Sequence, residues 1–383
     1  MEAQAEKELA MMLGLLRPLY SDFGRWASVY LDTSRRSPVA ADAVRLHWRD
    51  ARDQLAAAGA DAATLAALQD ALDGQLGAPG RALFARDGQV VSTPALRTSP
   101  ATARAEFGPL PAVMPFLTQY LPPMPRLQVS ADREGGEVLG IDAEAASVPP
   151  EQRAAAGQAE HAGGIQPVHK AHPGGLERPR RESSIEQNWD DNAKELASRV
   201  QEVASRVKAE YVLLAGDVKA RGLLLRHLPP ALADNVVLVD AEIGADSPEL
   251  GAVADATVAE RVARKDTERF GEWHRLRAHG LAVEGLPSVV AALRDGLVAE
   301  LFLPRQPQDG ASAWTGPAAT DIALSASELR ERGVAEPVHV PVSDAIVRAV
   351  VGTDAEVRFL PAATAQRMPA DHTCATLRAA GQV

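Results

Sequence analysis

The residues best suited to chemistry or binding lie in one polar, glycine-bearing stretch near the middle of the chain. Gly174 and Gly175 allow backbone conformations that other residues rarely adopt, so a partner can approach the chain closely here. Cations that suit phosphate oxygens and one histidine complete the candidate site: Lys170, His172, Arg178, Arg180 and Arg181. This pattern indicates RNA binding. From composition alone, a solvated and disordered insert is the alternative.

Regular elements on both sides of this stretch must position it. Two β-strands around a Gly135-Gly136 turn precede it, a polar interval over residues 143–184 contains it, and a long helix from Asn188 to about residue 208 follows. Trp189 lies on the apolar stripe of that helix, which predicts core packing rather than stacking on a base. The next predicted elements are a strand, a helix and a strand, an alternation typical of an α/β sheet covered by helices, at residues 211–215, 218–225 and 236–239.

The chain divides into three predicted domains, all of α/β character: residues 1–125, 126–270 and 271–383. Many prolines over residues 93–125 predict an irregular connector that ends the first domain. Charges of alternating sign over residues 260–269 predict an exposed helix with paired charges. In the C-terminal α/β sandwich we expect a surface loop over residues 304–320, and a final helix or frayed end around Cys374.

Composition and charge exclude several classes of protein. The chain has 383 residues, of which 46% are apolar, and a formal net charge of −11, so a globally basic RNA-coating protein is excluded. Cys374 is the one cysteine, which rules out an intrachain disulfide and fits a reducing cytosol. No apolar run is long enough to span a membrane, and the first residues lack the order of a secretion signal. We therefore expect a cytoplasmic protein without a membrane partner.

Metal and nucleotide chemistry are weaker interpretations of the same sequence. The histidines at positions 161, 169 and 172 lack the cysteine or well-placed carboxylate that would complete a metal site. Residues 216–222 lack the ending of a phosphate-binding loop. Aspartates at strand ends suggest a two-metal nuclease, although such residues are more often turn formers and helix caps: Asp132, Asp142, Asp217 and Asp240. We predict no metal and no cofactor.

The chain resembles one known family in the order of its units and in three local features. These are the Gly-Gly basic loop before the helix with Asn188 and Trp189, the strand at residues 211–217, and the module around residues 297–303. They are similar to bacterial relatives of the archaeal and eukaryotic class-one peptide-chain release factors, nearest to the actinobacterial branch that includes the Balon-type ribosome hibernation factors. The resemblance implies a release-factor-like architecture. Its first domain would face the decoding centre, its central domain would enter the peptidyl-transferase centre, and its third domain would resemble kink-turn-binding ribosomal proteins.

Release factors of this kind carry a Gly-Gly-Gln tip, whose glutamine helps to place water on the ester between nascent peptide and transfer RNA. Here Leu176 and Glu177 follow Gly174-Gly175, and the glutamine is missing. Leucine has no polar group that could orient water, so the resemblance implies a tip without its catalytic side chain.

Two functions are compatible with this departure from the family. We favour a hibernation factor that occupies the ribosomal A site without hydrolysis and has no catalytic residue. Its partners would be the rRNA of the A site and of the peptidyl-transferase centre and, by resemblance only, the elongation factor EF-Tu. The alternative is a peptidyl-tRNA hydrolase that uses backbone groups of the tip or Gln166, which follows Gly163-Gly164-Ile165.

Overall fold

The computed structural model describes residues 12–20, 23–33, 40–73, 79–148, 152–163, 178–305, 310–369 and 371–378. The chain separates into two compact units, one of Met1–Pro122 with Arg261–Val383 and the other of Pro123–Glu260. Each unit contains sheets and helices, which confirms the predicted α/β class. The three domain boundaries stay a prediction. Within the described ranges, no helix combines the length and the apolar character needed to cross a membrane.

The helices and strands before the Gly-Gly segment are α1 (residues 12–20), β1 (Trp26–Leu31), α2 (Ala40–Ala57), α3 (Ala62–Asp73), β2 (Gly80–Arg86), β3 (Gln89–Ser92), β4 (Ala95–Leu96), β5 (Arg104–Gly108), α4 (Met114–Leu117), β6 (Arg126–Asp132), β7 (Gly135–Ile141), α5 (Ala143–Ser147), α6 (Arg153–Ala156) and β8 (Gln158–Gly163). Those after it are α7 (Arg178–Val207), β9 (Tyr211–Gly216), α8 (Val218–His227), α9 (Pro230–Ala233), β10 (Val236–Leu238), α10 (Pro248–Ala278), β11 (Ala282–Glu284), α11 (Leu286–Arg294), β12 (Val298–Pro304), β13 (Ser312–Thr315), β14 (Ile322–Ala323), α12 (Ala326–Glu331), β15 (Val338–Pro341), α13 (Val342–Gly352), β16 (Glu356–Leu360), α14 (Ala362–Ala365) and β17 (Cys374–Leu377).

The first sheet has the strand order β3-β2-β1-β5, with β4 also paired to β2. β1 is rich in aromatic and branched side chains and is buried along its whole length, as expected of a central strand. β2 and β3 form a hairpin whose turn is Asp87-Gly88. Both residues have positive φ, 50° and 74°, as a two-residue turn between right-twisted strands requires.

Residues 93–125 are more ordered than predicted. β5 lies within them and pairs antiparallel with β1, and the short helix α4 packs Phe116 and Leu117 into the core. Pro100 and Pro109 flank β5 without entering it, so they limit the strand rather than prevent it. The prediction of an irregular connector is therefore wrong for this strand.

The second unit is built on a sheet with the strand order β10-β9-β6-β7-β8. β6 is parallel to β9 and antiparallel to β7, and β8 is an edge strand antiparallel to β7. α7 packs on this sheet through Leu196, Val200, Val203 and Val207, which are all buried. A Cβ at Gly140 would lie 2.7 Å from Cγ1 of Val203, so this glycine allows α7 to approach the sheet closely.

Three predictions for the second unit have wrong bounds. The β6–β7 turn consists of Arg133 and Glu134, whereas Gly135 already begins β7. The predicted polar interval contains α5, α6 and β8. β8 has little apolar surface, and an edge strand needs only backbone pairing and one covered face. α7 begins at Arg178 rather than at residue 188.

The C-terminal part of the chain forms two small sheets, ordered β11-β17-β12-β16 and β14-β13-β15. β17 is an inner strand that begins with the buried Cys374, so the predicted final helix or frayed end is wrong. Burial, reinforced by Glu284 and Asp371, raises the pKa of the Cys374 thiol to about 12. The predicted surface loop over residues 304–320 contains β13, the central strand of the smaller sheet, and is wrong for that strand.

α10 does not expose all of its charges. Asp266 is 4% exposed and accepts a hydrogen bond from Arg358 at 3.0 Å. Arg358 also pairs with Glu300 at 3.0 Å and with Glu356 at 2.7 Å, and Arg269 reaches Glu300 at 2.8 Å. We call these five residues the buried charge cluster. The prediction of an exposed helix with paired charges is therefore wrong at Asp266.

Candidate nucleic-acid interface

The predicted RNA-binding residues fall into two parts of the chain. Four of them lie outside the described residues: Lys170, His172, Gly174 and Gly175. The three arginines lie at the start of α7: Arg178, Arg180 and Arg181. Because the backbone is helical from residue 178 onward, their placement in a loop is wrong. That these seven residues contact RNA stays a prediction.

Ordered structure flanks residues 164–177 on both sides. β8 ends at Gly163, which is paired in the sheet, and α7 follows the segment. Glu160 of β8 contacts Arg199 of α7 at 3.2 Å and also binds Arg206. These ion pairs are partly exposed and contribute less than about 1 kcal/mol each, so their main effect is to fix β8 against α7.

The first turn of α7 concentrates positive charge where a helix favours negative charge. Its sequence contains Arg178, Arg180 and Arg181, and no acidic residue. The unpaired N–H groups of a helix N-terminus carry partial positive charge, so cations there cost helix stability. Pro179 is compatible with this position, because a first-turn N–H has no partner within the helix. The arginines in this turn therefore destabilise the helix slightly, but they would attract a phosphate group.

Trp189 lies at the surface rather than in the core. It is half-buried, and the guanidinium of Arg133 lies 5.1 Å from the centre of its ring. Arg133 is in the β6–β7 turn, pairs with Asp217 at 3.1 Å, and its carbonyl accepts a hydrogen bond from Asn192 of α7 at 3.2 Å. The sheet ends at this turn, so the apolar stripe of α7 extends beyond the last strand residues. The prediction of core packing for Trp189 is therefore wrong.

Two cations that the sequence analysis did not single out lie beside Trp189. Lys219 and Arg226 of α8 are exposed and line an open groove together with the Trp189 ring. Neither side chain makes an ion pair with any residue in the described part of the chain. Their i, i+7 spacing places them on one face of α8, and this spacing was the signal available in the sequence.

The strand-end aspartates have structural roles. Asp217 caps α8, and its hydrogen bond from the backbone N–H of Ala220 is the largest of several effects that lower the pKa of its carboxyl. Asp142 caps α5, Asp132 accepts a backbone N–H in the β6–β7 turn, and Asp240 pairs with an arginine at 2.9 Å. Because β6 and β7 are antiparallel, Asp142 and Asp132 lie at opposite edges of the sheet. This arrangement does not support a two-metal nuclease.

Metal binding has no support in the described part of the chain. His161 is exposed and lies 3.3 Å from Glu137, an ordinary surface pair. His169 and His172 lie outside the described residues. Within the described ranges, no three His, Cys, Asp or Glu side chains are grouped so that they could hold a metal ion.

The sequence of the central region matches a known family. Residues 125–279 match the family model of bacterial archaeo-eukaryotic release factor family 2. This region is a bacterial archaeo-eukaryotic release factor domain. The family predicted by resemblance is thereby confirmed. The release factor domain contains β8, α7 and α8, so the Gly-Gly segment, the arginine-bearing first turn and Trp189 all belong to it.

The chain is also similar to two proteins of Mycobacterium tuberculosis, the uncharacterized proteins Rv2629 and MT2704. Each is 29% identical over 332 residues, which cover 84% of this chain and 85% of the relative. These mycobacterial relatives agree with the predicted actinobacterial branch. Among solved structures, archaeal translation termination factor aRF1 gives a TM-score of 0.23 at 15% identity over 98% of both chains. Archaeoglobus fulgidus Pelota gives 0.37 at 14% identity over 78% of this chain and 79% of Pelota. Similarity at these TM-scores supports no conclusion about function.

Outside the release factor domain, the first unit has an open cleft with a buried carboxyl group. The cleft has a volume of about 770 Å³ and is lined by parts of β5, β13, β15 and the start of α13. Asp344 is 6% exposed in its wall and accepts a hydrogen bond from the Ser343 hydroxyl at 3.3 Å. Burial, reinforced by Glu106, raises the pKa of Asp344 to about 7. No sequence pattern indicated Asp344, because only its burial distinguishes it from other aspartates.

The variant Asp344→Asn is expected to reduce the pH dependence of stability. Folded protein keeps the Asp344 proton up to about pH 7, whereas the unfolded chain loses it near its ordinary pKa of 3.8. The folded state therefore binds more protons in this window, and the free energy of unfolding falls as the pH rises through it. For Asp344 alone, the fall from about pH 5.5 to about pH 8 amounts to about 2 kcal/mol.

Urea unfolding at both pH values measures this difference. The remaining pH dependence of the variant includes Glu356, because burial also raises the pKa of that carboxyl to about 7. An Asp344→Asn protein whose stability falls as steeply as that of the parent protein would contradict the buried, protonated state of Asp344.

Proposed function

We propose that this protein binds the ribosome through its release factor domain and occupies the A site without hydrolysing peptidyl-tRNA. One observation carries the proposal: in a release factor domain, Gly174-Gly175 is followed by Leu176 and Glu177 instead of glutamine. The glycines keep the backbone freedom that a close approach requires, while the amide that would place water on the ester is absent. In this proposal the domain binds at a catalytic centre of the ribosome and performs no chemical step there.

The distribution of charge supports rRNA as the partner. The whole chain has a net charge of −11, so attraction to RNA must come from a local cluster rather than from the overall field. Lys170 and the three arginines provide such a cluster over a short length of chain, and they outnumber the two acids that flank the arginines, Glu177 and Glu182. Cations of this kind bind phosphates and release counterions, which makes the binding sensitive to salt.

In this role the protein is a hibernation factor of the cytoplasm. An occupied A site excludes transfer RNA and other factors from an idle ribosome, and the protein itself undergoes no chemical step. Delivery by EF-Tu belongs to the same proposal and is based on the resemblance to Balon-type factors.

The alternative, a peptidyl-tRNA hydrolase that uses Gln166, has less support. Its tip would be Gly163-Gly164-Ile165-Gln166, yet Gly163 is the last residue of β8 and pairs with Gly135 in the sheet. A glycine in the ladder of a sheet is not available to form the end of a loop. In the sequence, Gly174-Gly175 comes well after the end of β8 and shortly before α7, which suits a tip better.

Co-sedimentation with vacant ribosomes tests the proposal. We expect the purified chain to pellet with ribosomes through a sucrose cushion and to be released progressively between about 50 and 200 mM salt. Protein without ribosomes, which should stay in the supernatant, is the control. A chain that does not pellet even at the lowest salt would refute ribosome binding.

A further inference from the structure

α7 and α8 form a groove on the surface of the release factor domain. It has a volume of about 600 Å³ and is open to solvent. Its lining combines one aromatic ring, one leucine, two cations, one acid and one glycine: Trp189, Leu223, Lys219, Arg226, Asp190 and Gly222. We call it the Trp189 groove.

The Trp189 ring gives the groove a flat apolar wall. Arg133 lies 5.1 Å from the ring centre, and its salt bridge to Asp217 at 3.1 Å holds it there. Asn192, one turn along α7, is hydrogen-bonded to the carbonyl of Arg133. These contacts place the ring beside the β6–β7 turn.

The charge of the groove is positive once its internal pairs are taken into account. Asp190 contacts Lys194 at 2.8 Å and His227 at 2.7 Å, and hydrogen bonds from these two partners lower the pKa of its carboxyl to about 2. Lys194 is shared with Asp191 at 3.3 Å, and the two cations of the groove lining outnumber its one acid. Lys219 and Arg226 have no such pairs with described residues. They lie two helical turns apart on α8, about 10 Å along its axis, on either side of Gly222.

Gly222 keeps the middle of the groove empty. A Cβ built on it would have no heavy atom within 4 Å. It lies in the middle of α8, where glycine costs about 1 kcal/mol relative to alanine. Packing does not require this glycine, so the open space beside the Trp189 ring is the feature that depends on it.

We propose that the Trp189 groove binds an unpaired RNA nucleotide, with its base against the Trp189 ring and its phosphates against Lys219 and Arg226. An aromatic wall combined with cations that lack partners is how proteins hold single-stranded RNA. Among the described residues that line the groove, Leu223 is the one aliphatic side chain beside the Trp189 ring, so these residues suit a nucleotide better than a peptide. The inference rests on the proposed function only in naming rRNA as the natural source of the nucleotide.

Filling the groove with a leucine tests this proposal. Gly222→Leu should fold at least as well as the parent protein, because leucine favours a helix and its side chain enters open space. Gly251→Leu is the matched control, since Gly251 lies in helix α10 of the same unit and also has no heavy atom within 4 Å of a built Cβ. Thermal unfolding followed by circular dichroism checks that both variants are folded.

The probe is a short, labelled single-stranded oligoadenylate, and its fluorescence anisotropy reports binding to the full chain. Loss of one stacked base should weaken affinity about tenfold in Gly222→Leu and leave Gly251→Leu unchanged. In the double variant Lys219→Gln with Arg226→Gln, the slope of log K against log salt concentration should become less steep by about 1.4. The effect of Gly222→Leu should persist when Arg180 and Arg181 are changed to glutamate, because Gly222 is on α8 whereas the two arginines are in the first turn of α7.

The remaining outcomes separate this inference from the proposed function. If Gly222→Leu binds oligoadenylate like the parent protein, the groove does not hold a nucleotide. If the variant loses ribosome binding but keeps oligoadenylate binding, the groove contacts a ribosomal protein and the inference is overturned. If the parent protein fails to pellet with ribosomes while Gly222→Leu still loses oligoadenylate affinity, the nucleotide site stands and the proposed function fails.

Discussion

Replacing both Arg180 and Arg181 by glutamate is expected to weaken ribosome binding about a hundredfold at moderate salt. The change removes two cations from the first turn of α7 and places two anions where the partner is a phosphate backbone. It should also make the remaining binding less dependent on salt, because fewer counterions are released. Pelleting with vacant ribosomes over a range of protein concentrations and salt measures both effects.

The same substitution should not harm the fold, which makes the result interpretable. Glutamates in the first turn of a helix interact favourably with its N-terminal partial charge, so the thermal midpoint should stay equal or rise. Arg180→Lys with Arg181→Lys is the control that keeps the charge, and it should retain most of the binding. Unchanged ribosome affinity in the glutamate variant would show that this turn does not face RNA.

The variant Arg358→Met is expected to destabilise the first unit by about 3–5 kcal/mol. Arg358 is buried and lies within hydrogen-bonding distance of three carboxylates, on Asp266, Glu300 and Glu356. Although burial alone would lower the pKa of Arg358, these carboxylates raise it, so the guanidinium stays charged. Methionine fills much of the space but leaves buried carboxylates facing one another.

Acidic conditions should partly rescue this variant. Protonation of Glu356, whose pKa is already raised to about 7, relieves the repulsion among the remaining carboxylates, so the deficit should be smaller near pH 6 than near pH 8. Denaturant unfolding at the two pH values measures the deficit, with Arg330→Met on the exposed surface of α12 as the control. A loss below about 1 kcal/mol would mean that the cluster behaves as a surface ion pair.

The sequence predicted elements with long or strongly apolar patterns and missed short ones. The stripe of α7 and the apolar runs of β9 and β12 are apparent without coordinates, because their periodicity is independent of what lies beyond them. β8, β13 and β17 are short and carry few large side chains, and β17 pairs with β11 and β12, which lie far from it in the sequence. Pairing of that kind leaves no local signal.

The candidate site was predictable in residue type but not in placement. Glycines beside cations identified the segment around Gly174, and the missing glutamine was read directly from Leu176. Pro179 suggests a loop, but proline is also tolerated in the first turn of a helix. Arg178 and its neighbours lie in such a turn. Trp189 was assigned to the core because periodicity gives the face of a helix but not the point at which the sheet beneath it ends.

Peptide release on stalled ribosomes is the most direct test of binding without hydrolysis. Ribosomes that carry labelled peptidyl-tRNA in the P site and an empty A site are mixed with the protein, and bound protein and freed peptide are measured in the same tubes. The account predicts that the protein pellets with these ribosomes while the peptide stays on its transfer RNA, whereas an active release factor frees it. Release of peptide by the bound protein, especially release abolished by Gln166→Ala, would contradict the account and establish a hydrolase.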